Sequence, residues 1–479
     1  MTTETDMTSI YWHDYETTGT DPARDRPLQF AGIRTDENLE IVGEPLMLYC
    51  KPPRDLLPHP LACLITGITP QLAEEKGLPE PEFIRRIHAE LARPGTCGAG
   101  YNSLRFDDEV TRHSLYRNFF DPYEREWRNG NSRWDIIDML RLTRALRPEG
   151  IHWPDKDDGG PSFKLEELTA ANGIGHANAH DALADVMATI AMARLVRERQ
   201  PKLYQYVYES RLKHRVAPLV DPIARKPFLH VSGRLPRENG YTALMIPLCQ
   251  HPANKNAVIA FNLMADPTPL LNLDADAIRE RVFSRAEELA EGEERIALKA
   301  IHINRCPVVA TPKLLDASAA RRLAIDVVRC ERHWRQLRGA DLGAKLARVF
   351  ATQDLETPRD ADLALYGGFL PDEDRPLLAA VRNASPAELA SNSFPFTDAR
   401  YRELLLRYKG RHFPEALGEE EMHQWEELRD RQLNEPAPGR LTLEEFFAEL
   451  DQLEETRVSP RDRDIIAALR DWGDTLVAL

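Results

Sequence analysis

Cysteine is scarce. Six residues (Cys50, Cys63, Cys97, Cys249, Cys306 and Cys330) are scattered through 479 positions with no CxxC pair. That spacing argues against a disulfide framework and against a thiolate zinc site, and it fits a reducing cytoplasm. Long apolar runs are missing too. None approaches the ~18 residues that a membrane span needs. Residues 1–10 are polar and acidic with no apolar signal core, so neither membrane insertion nor secretion is expected. Positive charge is in deficit, with 62 Lys and Arg against 77 Asp and Glu and a net charge of -15. Such a balance argues at first against a polyanion partner. No internal repeat and no low-complexity tract is visible.

The deficit is unevenly distributed. Residues 1–200 carry 23 basic and 33 acidic side chains, residues 201–350 carry 24 and 16, and residues 351–479 carry 15 and 28. A basic centre between acidic ends is compatible with a polyanion site at that centre and equally with chance clustering on solvated faces.

The periodicity divides the chain similarly. Residues 1–200 read as α/β, with strand-like runs at 9–14, 28–35, 41–50 and 96–101. Helical patterns cover 81–92, 108–120, 133–146, 164–172 and 180–200. Pro201 marks a break. Residues 228–233, 242–248, 256–263 and 296–303 read as short strands, with one helix over 274–294, so a small β-barrel or sandwich with inserted helices is expected. Beyond about 351 the chain is rich in Leu, Glu and Arg, and four amphipathic helices follow between 398 and 479.

Asp14 and Glu16 close the first strand. Side chains alternate along a strand, so both carboxylates face the same way. Side by side they repel unless a cation lies between them, and hard oxygen ligands suit Mg²⁺ or Mn²⁺. A DxE pair alone is as well explained by two solvated acids. Asp107 lies at a strand-to-helix turn in the segment GYNSLRFDD. His180 is followed five residues later by Asp185, which sits among Ala182, Leu183, Ala184 and Val186. A carboxylate there is costly to bury unpaired, so a metal is one reason for it. Favourable charge at a helix N-terminus is another.

Asp14, Glu16, Asp107, His180 and Asp185 together reproduce, in order and spacing, the signature of DEDDh 3′→5′ exonucleases. The stretches HDYETTGTDPARDRPLQFAGIRTD, LITGITP, NSRWDIIDMLR, PSFKLEELTAANGI, NAHDALADV, HVSG, HPANKNAVI and HINRCPV resemble bacterial exodeoxyribonuclease I more particularly, over essentially the whole chain. That resemblance implies a ribonuclease H-like (DnaQ-like) exonuclease domain over 1–200, an SH3-like basic domain over 201–352 and a helical domain over 353–479, forming a C-shaped clamp. It implies a monomeric cytoplasmic enzyme, nucleoid-associated when on DNA, that degrades single-stranded DNA processively to 5′-mononucleotides in repair and recombination. Two metal ions about 4 Å apart would bracket the attacking and leaving oxygens. Asp14, Glu16 and Asp185 would hold the metal at the attacking water, Asp107 would serve the second, and His180 would take the water's proton.

The same resemblance assigns DNA contacts to Glu16, Thr66, Arg112, Tyr123, Trp127, Arg141 and Lys164. Lysine at 164 stands where an arginine is expected and loses its bidentate fork. Around 112–147 arginines and aromatic rings interleave, as a single-strand track requires, and some of those rings must be core. Lys213, Lys255 and Lys299 are further phosphate contacts to test. The resemblance also implies docking of the acidic tail of single-stranded DNA-binding protein on Arg147, Tyr206, Lys226 and Arg338. Thr311 and Asp316 depart from the pattern there, and Asp316 would repel such a tail. Two other readings are an exoribonuclease, which shares the quintet, and a non-catalytic DNA-binding adaptor, which predicts a lost ligand. A polymerase proofreading subunit is a third and would not need the basic centre.

Overall fold

A computed structural model describes residues 8–176, 181–351 and 360–478. Two nine-residue strands, β1 (Ser9–Thr17) and β2 (Pro27–Thr35), run antiparallel, with Asp14 opposite Ala31 and Glu16 opposite Gln29. β3 (Leu46–Tyr49) pairs with the far side of β2. It is shorter than the expected 41–50. Gly43 turns the chain at φ +81°, and Pro45 has no N–H to give a ladder. Two unforeseen short helices follow, α1 (Pro60–Thr66) and α2 (Pro70–Lys76), then α3 (Glu80–Leu91). Each carries a proline in its first turn, where no intrahelical N–H is needed. β4 (Thr96–Gly100) lies parallel to β1 and leads into α4 (Asp107–Arg117).

The sheet order across these strands is thus β3-β2-β1-β4. Tyr11, Tyr15 and Phe30 of the sheet pack against Phe83, Ile84 and Ile87 of α3 and Val110 and Leu115 of α4. Residues 133–146, expected as one helix, instead form β5 (Ser132–Asp135) and then α5 (Ile137–Leu146). The Asp135 carboxylate accepts the Ile137 N–H at 3.0 Å in the turn that leads from β5 into the helix. α6 (Leu165–Ala171) and α7 (Ala182–Arg199) follow, and Pro201 is the first residue of α8 (Pro201–Glu209) rather than a gap between elements.

After α9 (Lys213–Val216) comes an antiparallel sheet of β6 (Phe228–Val231), β7 (Thr242–Gln250), β8 (Ala257–Asn262), β9 (Leu298–His302) and β10 (Val308–Ala310). Its order is β10-β6-β7-β8-β9. Three-residue β10 was not foreseen, being too short for a periodic signal. Between β8 and β9 lie α10 (Thr268–Asn272) and α11 (Ala275–Phe283). The helix expected over 274–294 ends at Phe283. Glu287, Glu288, Glu291, Glu293 and Glu294 would have stacked negative charge at its negative C-terminal end. α12 (Ala317–Arg322), α13 (Val327–Leu337) and α14 (Gly343–Val349) complete this part.

The C-terminal region adds α15 (Arg375–Asn383), α16 (Pro386–Ser391), α17 (Ala399–His412), α18 (Glu419–Asn434), α19 (Leu443–Thr456) and α20 (Pro460–Val477). The last four are the expected amphipathic helices. Side chains of Asp398, Thr442 and Ser459 cap three of them. α19 and α20 close over Cys63 and Leu64 of α1. Among the described residues no helix is long and apolar enough to cross a membrane.

The described residues fall into two compact units, one of 8–132, 181–187 and 360–478, the other of 133–176 and 188–351. Within the first, a buried ion network ties the strands to the C-terminal helices. Asp362 receives Arg26 at 2.8 Å, Arg407 at 2.8 Å and Arg411 at 2.7 Å, and Arg411 also binds Asp55 at 2.7 Å. Burial alone would raise the Asp362 pKa. Arg411, Arg407 and Arg26 outweigh it and hold the carboxyl well below its usual range.

Candidate functional site

The site lies in the first unit, where β1 ends. Pairing with β2 on one side and β4 on the other fixes the direction of Asp14 and Glu16. Gly100 makes the close approach possible, since a Cβ there would lie 2.9 Å from the His13 carbonyl oxygen. Asp185 comes from the first turns of α7. One carboxylate oxygen from each of Asp14, Glu16 and Asp185 lies within 4.8 Å of the others. Asp107, at the start of α4, is buried, and its Oδ1 accepts the Tyr15 N–H at 3.1 Å. It stands outside that group of three. It is nevertheless the charge that most raises the Asp14 pKa after burial itself, ahead of Glu16, Asp185 and Asp181.

Burial, followed by Asp185, Asp107 and Asp181, pushes Glu16 up to about 8. Burial with the same kind of neighbours takes Asp14 well above the carboxylate range. These acids resist ionising together in a poorly solvated pocket. A hard divalent cation supplies the missing charge, and an all-oxygen donor set matches its preference. The residues therefore fit a divalent metal. His180 lies outside the described residues.

Two supports were not read from the sequence. Gln29, opposite Glu16 and 1% exposed, accepts the Ala182 N–H at 3.2 Å and so anchors the start of α7 that carries Asp185. Its own Nε2 donates to Tyr49 at 3.0 Å. Asp181 adds a fifth carboxylate to the field and caps the helix by accepting the Ala184 N–H at 3.2 Å. A glutamine within a strand gives no sequence signal.

The expected DNA contacts of this unit differ in availability. Trp127 is 64% exposed and presents an open ring. Tyr123 is half-buried, with the Arg112 guanidinium 5.4 Å from its ring centre. Arg112 itself is buried, bound to Glu126 at 2.7 Å, to Glu109 at 2.6 Å and to the Tyr366 hydroxyl at 3.1 Å. A phosphate reaching Arg112 must compete with two carboxylates. Thr66 ends α1, and its hydroxyl accepts the Ile68 N–H at 3.1 Å.

In the second unit, Arg141 binds Asp138 at 2.5 Å and stacks near Phe163 and Tyr241, 5.5 and 5.4 Å from the ring centres. Arg144, Arg237 and Arg322 line the same cleft of about 510 Å³. Lys164 is 62% exposed beside Glu167. Lys213 is exposed and donates to Asn256 at 2.6 Å, and Lys255 is exposed. Lys299 is half-buried on β9, its Nζ inside the unit, where it helps hold His230 down after burial has done most of that. Trp134, one of the interleaved rings, is core, packed against Tyr204 and Tyr208.

Of the residues assigned to a protein-tail site, Lys226 and Arg338 are exposed. The Tyr206 hydroxyl donates to the Val309 carbonyl at 2.9 Å. Arg147 lies 3.7 Å from Asp316. Asp316 caps α12 by accepting the Ala319 N–H at 2.8 Å. Its charge is therefore partly taken up by a helix terminus and a neighbouring arginine. Thr311 is exposed.

Comparison with known proteins accounts for nearly the whole chain. Residues 11–193 match the family described as Exonuclease, residues 211–352 the Exonuclease I SH3-like domain, and residues 359–476 the Exonuclease I C-terminal domain. Exodeoxyribonuclease I of Escherichia coli K12 is 45% identical over 474 residues, 98% of either chain. The solved structure of a moderately thermophilic Exonuclease I from Methylocaldum szegediense is 53% identical, with a TM-score of 0.94 over 98% of this chain and 100% of that one. The zinc-bound form of an E. coli ExoI–single-stranded DNA complex is 43% identical, with a TM-score of 0.93 and the same coverage. The fold is accordingly a ribonuclease H-like exonuclease domain, an SH3-like domain and a helical C-terminal domain.

Proposed function

This chain belongs to the exonuclease I family, and from that premise we propose that it degrades single-stranded DNA from the 3′ end, processively, to 5′-mononucleotides. The observation that carries the reading is the group of Asp14, Glu16 and Asp185 oxygens within 4.8 Å of one another. Two Mg²⁺ ions, with Mn²⁺ as a substitute, are the cofactors we assign, and when bound they supply charge for the attacking and leaving oxygens. Asp14, Glu16 and Asp185 would hold the ion at the attacking water, and Asp107 would serve the other. We assign His180 the proton of the attacking water, a task suited to an imidazole of pKa about 6.5. We also assign Glu16 a contact with the DNA strand.

We assign stacking of bases to Trp127 and Tyr123, and phosphate contact to Arg141, Lys164, Lys213 and Lys255. Arg112 acts by holding Tyr123 in place, which its ring contact supports. Thr66 and half-buried Lys299 are weaker contacts in this reading. Residues 1–200, 201–352 and 353–479 are the working domains. The tail of single-stranded DNA-binding protein is proposed to dock on Lys226, Arg338, Tyr206 and Arg147, with Asp316 reducing the charge available to it. The enzyme acts as a cytoplasmic monomer, joins the nucleoid when on DNA, and serves repair and recombination.

The test is digestion of end-labelled single-stranded DNA and matched RNA with Mg²⁺ or EDTA. The 3′ label should leave at once as mononucleotide while the 5′-labelled strand shortens gradually, and Asp14→Ala and His180→Ala should be inactive. Cleavage of RNA alone, or DNA binding without release, would refute the reading.

A further inference from the structure

Between Tyr123 and Trp127, the two rings assigned to stacking, the chain makes one short helical turn, Glu124–Glu126. All three of its residues are charged, and their side chains leave in different directions. Glu124 pairs with Arg128 at 2.8 Å on the exposed side. Glu126 turns inward to Arg112 of α4 at 2.7 Å. Arg125 turns inward too. It is 3% exposed, and its Nη2 donates to the Asp108 carboxylate of α4 at 2.6 Å. Two ion pairs of opposite sense, both largely shielded from solvent, therefore clasp this segment to α4.

The Arg125 guanidinium lies behind the carboxylate site. A Cβ at Gly98 of β4 would be 3.5 Å from its Nη1 and 3.9 Å from Cε1 of His13. His13 precedes Asp14 and leaves the opposite face of β1. Asp108 directly follows Asp107 in the first turn of α4. Phe106, at the cap position, has a ring with no acceptor for the free N–H groups of that turn. Other elements hold the turn instead. Asp107 Oδ1 accepts the Tyr15 N–H at 3.1 Å, the Asp108 N–H donates to the Ser103 carbonyl at 2.9 Å, and the Asp108 carboxylate accepts from Arg125. For stability alone the ion pair is a poor arrangement. Desolvating two ions offsets much of their attraction. The Arg125 Nε is also buried and meets no acceptor among the described residues, a further cost. What such a pair supplies is position, because only one placement of the turn brings Asp108 to the guanidinium.

We propose that Arg125 is a positioning residue for the metal site: through Asp108 it fixes the first turn of α4, and so the direction of Asp107, from the segment that carries Tyr123 and Trp127. The inference rests on the nuclease reading for the roles of Asp107 and of the two rings. Its consequence is that a strand held on those rings stands in fixed register with one carboxylate of the site.

The test compares the whole protein with Arg125→Gln combined with Asp108→Asn, and with Arg125→Lys. In the double variant two amides replace the pair and strand no charge, so the fold should survive, and the melting temperature checks it. The first readout needs no activity. Pairing of β1 with β4 ends at Trp12, so protection of the Tyr15 N–H reports its bond to Asp107. Deuterium exchange at that amide in metal-free protein should be about tenfold faster in the double variant, with β2 amides unchanged. The second readout is turnover of single-stranded DNA at saturating Mg²⁺. There kcat should fall about tenfold while KM for DNA stays within about threefold. Arg125→Lys keeps the charge but loses the planar fork, and should fall between the other two proteins in both readouts. The proposal is overturned if Tyr15 exchange is unchanged in the double variant, or if KM rises while kcat holds, which would confine Arg125 to the stacking segment. If the double variant does not fold, an Arg125→Lys protein indistinguishable from the wild type in both readouts overturns it. A wild type that cleaves no DNA refutes the nuclease reading instead, and the exchange rates still decide whether Arg125 positions Asp107.

Discussion

The first unit holds two clusters of buried charge, and they are built oppositely. Around Asp362, signs alternate: Arg26, Arg407 and Arg411 surround it, and Asp55 closes the network. Around Asp14, the charges that most raise its pKa among the described residues are all acids: Glu16, Asp107, Asp181 and Asp185. The first cluster is complete in the protein alone. Its acid is held below the usual range, and removing one member would strand the rest. The second is incomplete, and its acids are pushed upward. Buried charge of one sign implies something the chain does not itself contain, and that distinction separates a site from a structural joint.

The comparison can be broken most forcefully by removing one charge from each cluster. Asp185→Asn is expected to cut turnover roughly 10³-fold or more, the scale seen when one member of a catalytic unit is lost. In EDTA the same variant should melt higher than the parent, because a repelled carboxylate has gone. Asp362→Asn should do the reverse. It leaves three buried guanidinium groups short of a partner and should cost about 3–5 kcal/mol in denaturant unfolding. If both variants shift stability in the same direction, the contrast is wrong.

A pH series sharpens it. Glu16 stands near 8 in the fold against 4.5 as its ordinary value. Between these values the folded protein binds a proton that the unfolded chain has released. The associated stability is complete below the ordinary value and lost as pH rises through the folded one. The melting temperature of metal-free protein should therefore fall between about pH 5 and about pH 8 from this source, and Glu16→Gln should flatten that fall. A wild-type slope retained in Glu16→Gln would assign it elsewhere.

The smallest effects belong to the strand track. Trp127→Ala should weaken single-stranded DNA binding by about 1–3 kcal/mol, the worth of one stacked base. Lys213→Ala should leave sequence preference alone and reduce the salt slope by about 0.7, as for one phosphate contact. An unchanged slope would return Lys213 to its Asn256 hydrogen bond alone.

What could be read without coordinates followed local rules. Alternation along β1 put Asp14 and Glu16 on one face, and amphipathic spacing found α17 to α20. Asp185 stood out because a carboxylate among Ala182, Leu183 and Val186 is costly. What escaped depends on distant partners. Arg112 looked like an open cation in a run of arginines, yet Glu109 and Glu126 enclose it. Lys299 looked like surface charge, yet its Nζ is inside the unit. Gln29 carries no local signal, and its role appears only when β2 meets the start of α7. Residues 133–135 have a helix-compatible composition and were drawn into a strand by pairing that no local window contains.

The central claim is that the carboxylates at the end of β1 form a divalent-metal site. Titrating Mg²⁺ or Mn²⁺ into the DNA-free protein near pH 7, in buffers of different ionisation heat, tests it directly. Because Glu16, raised to about 8, holds a proton near pH 7 that a metal must displace, binding should be saturable and should release protons into solution, and Asp185→Asn should remove it. Binding with no proton release, or binding that survives in Asp185→Asn, would contradict the account.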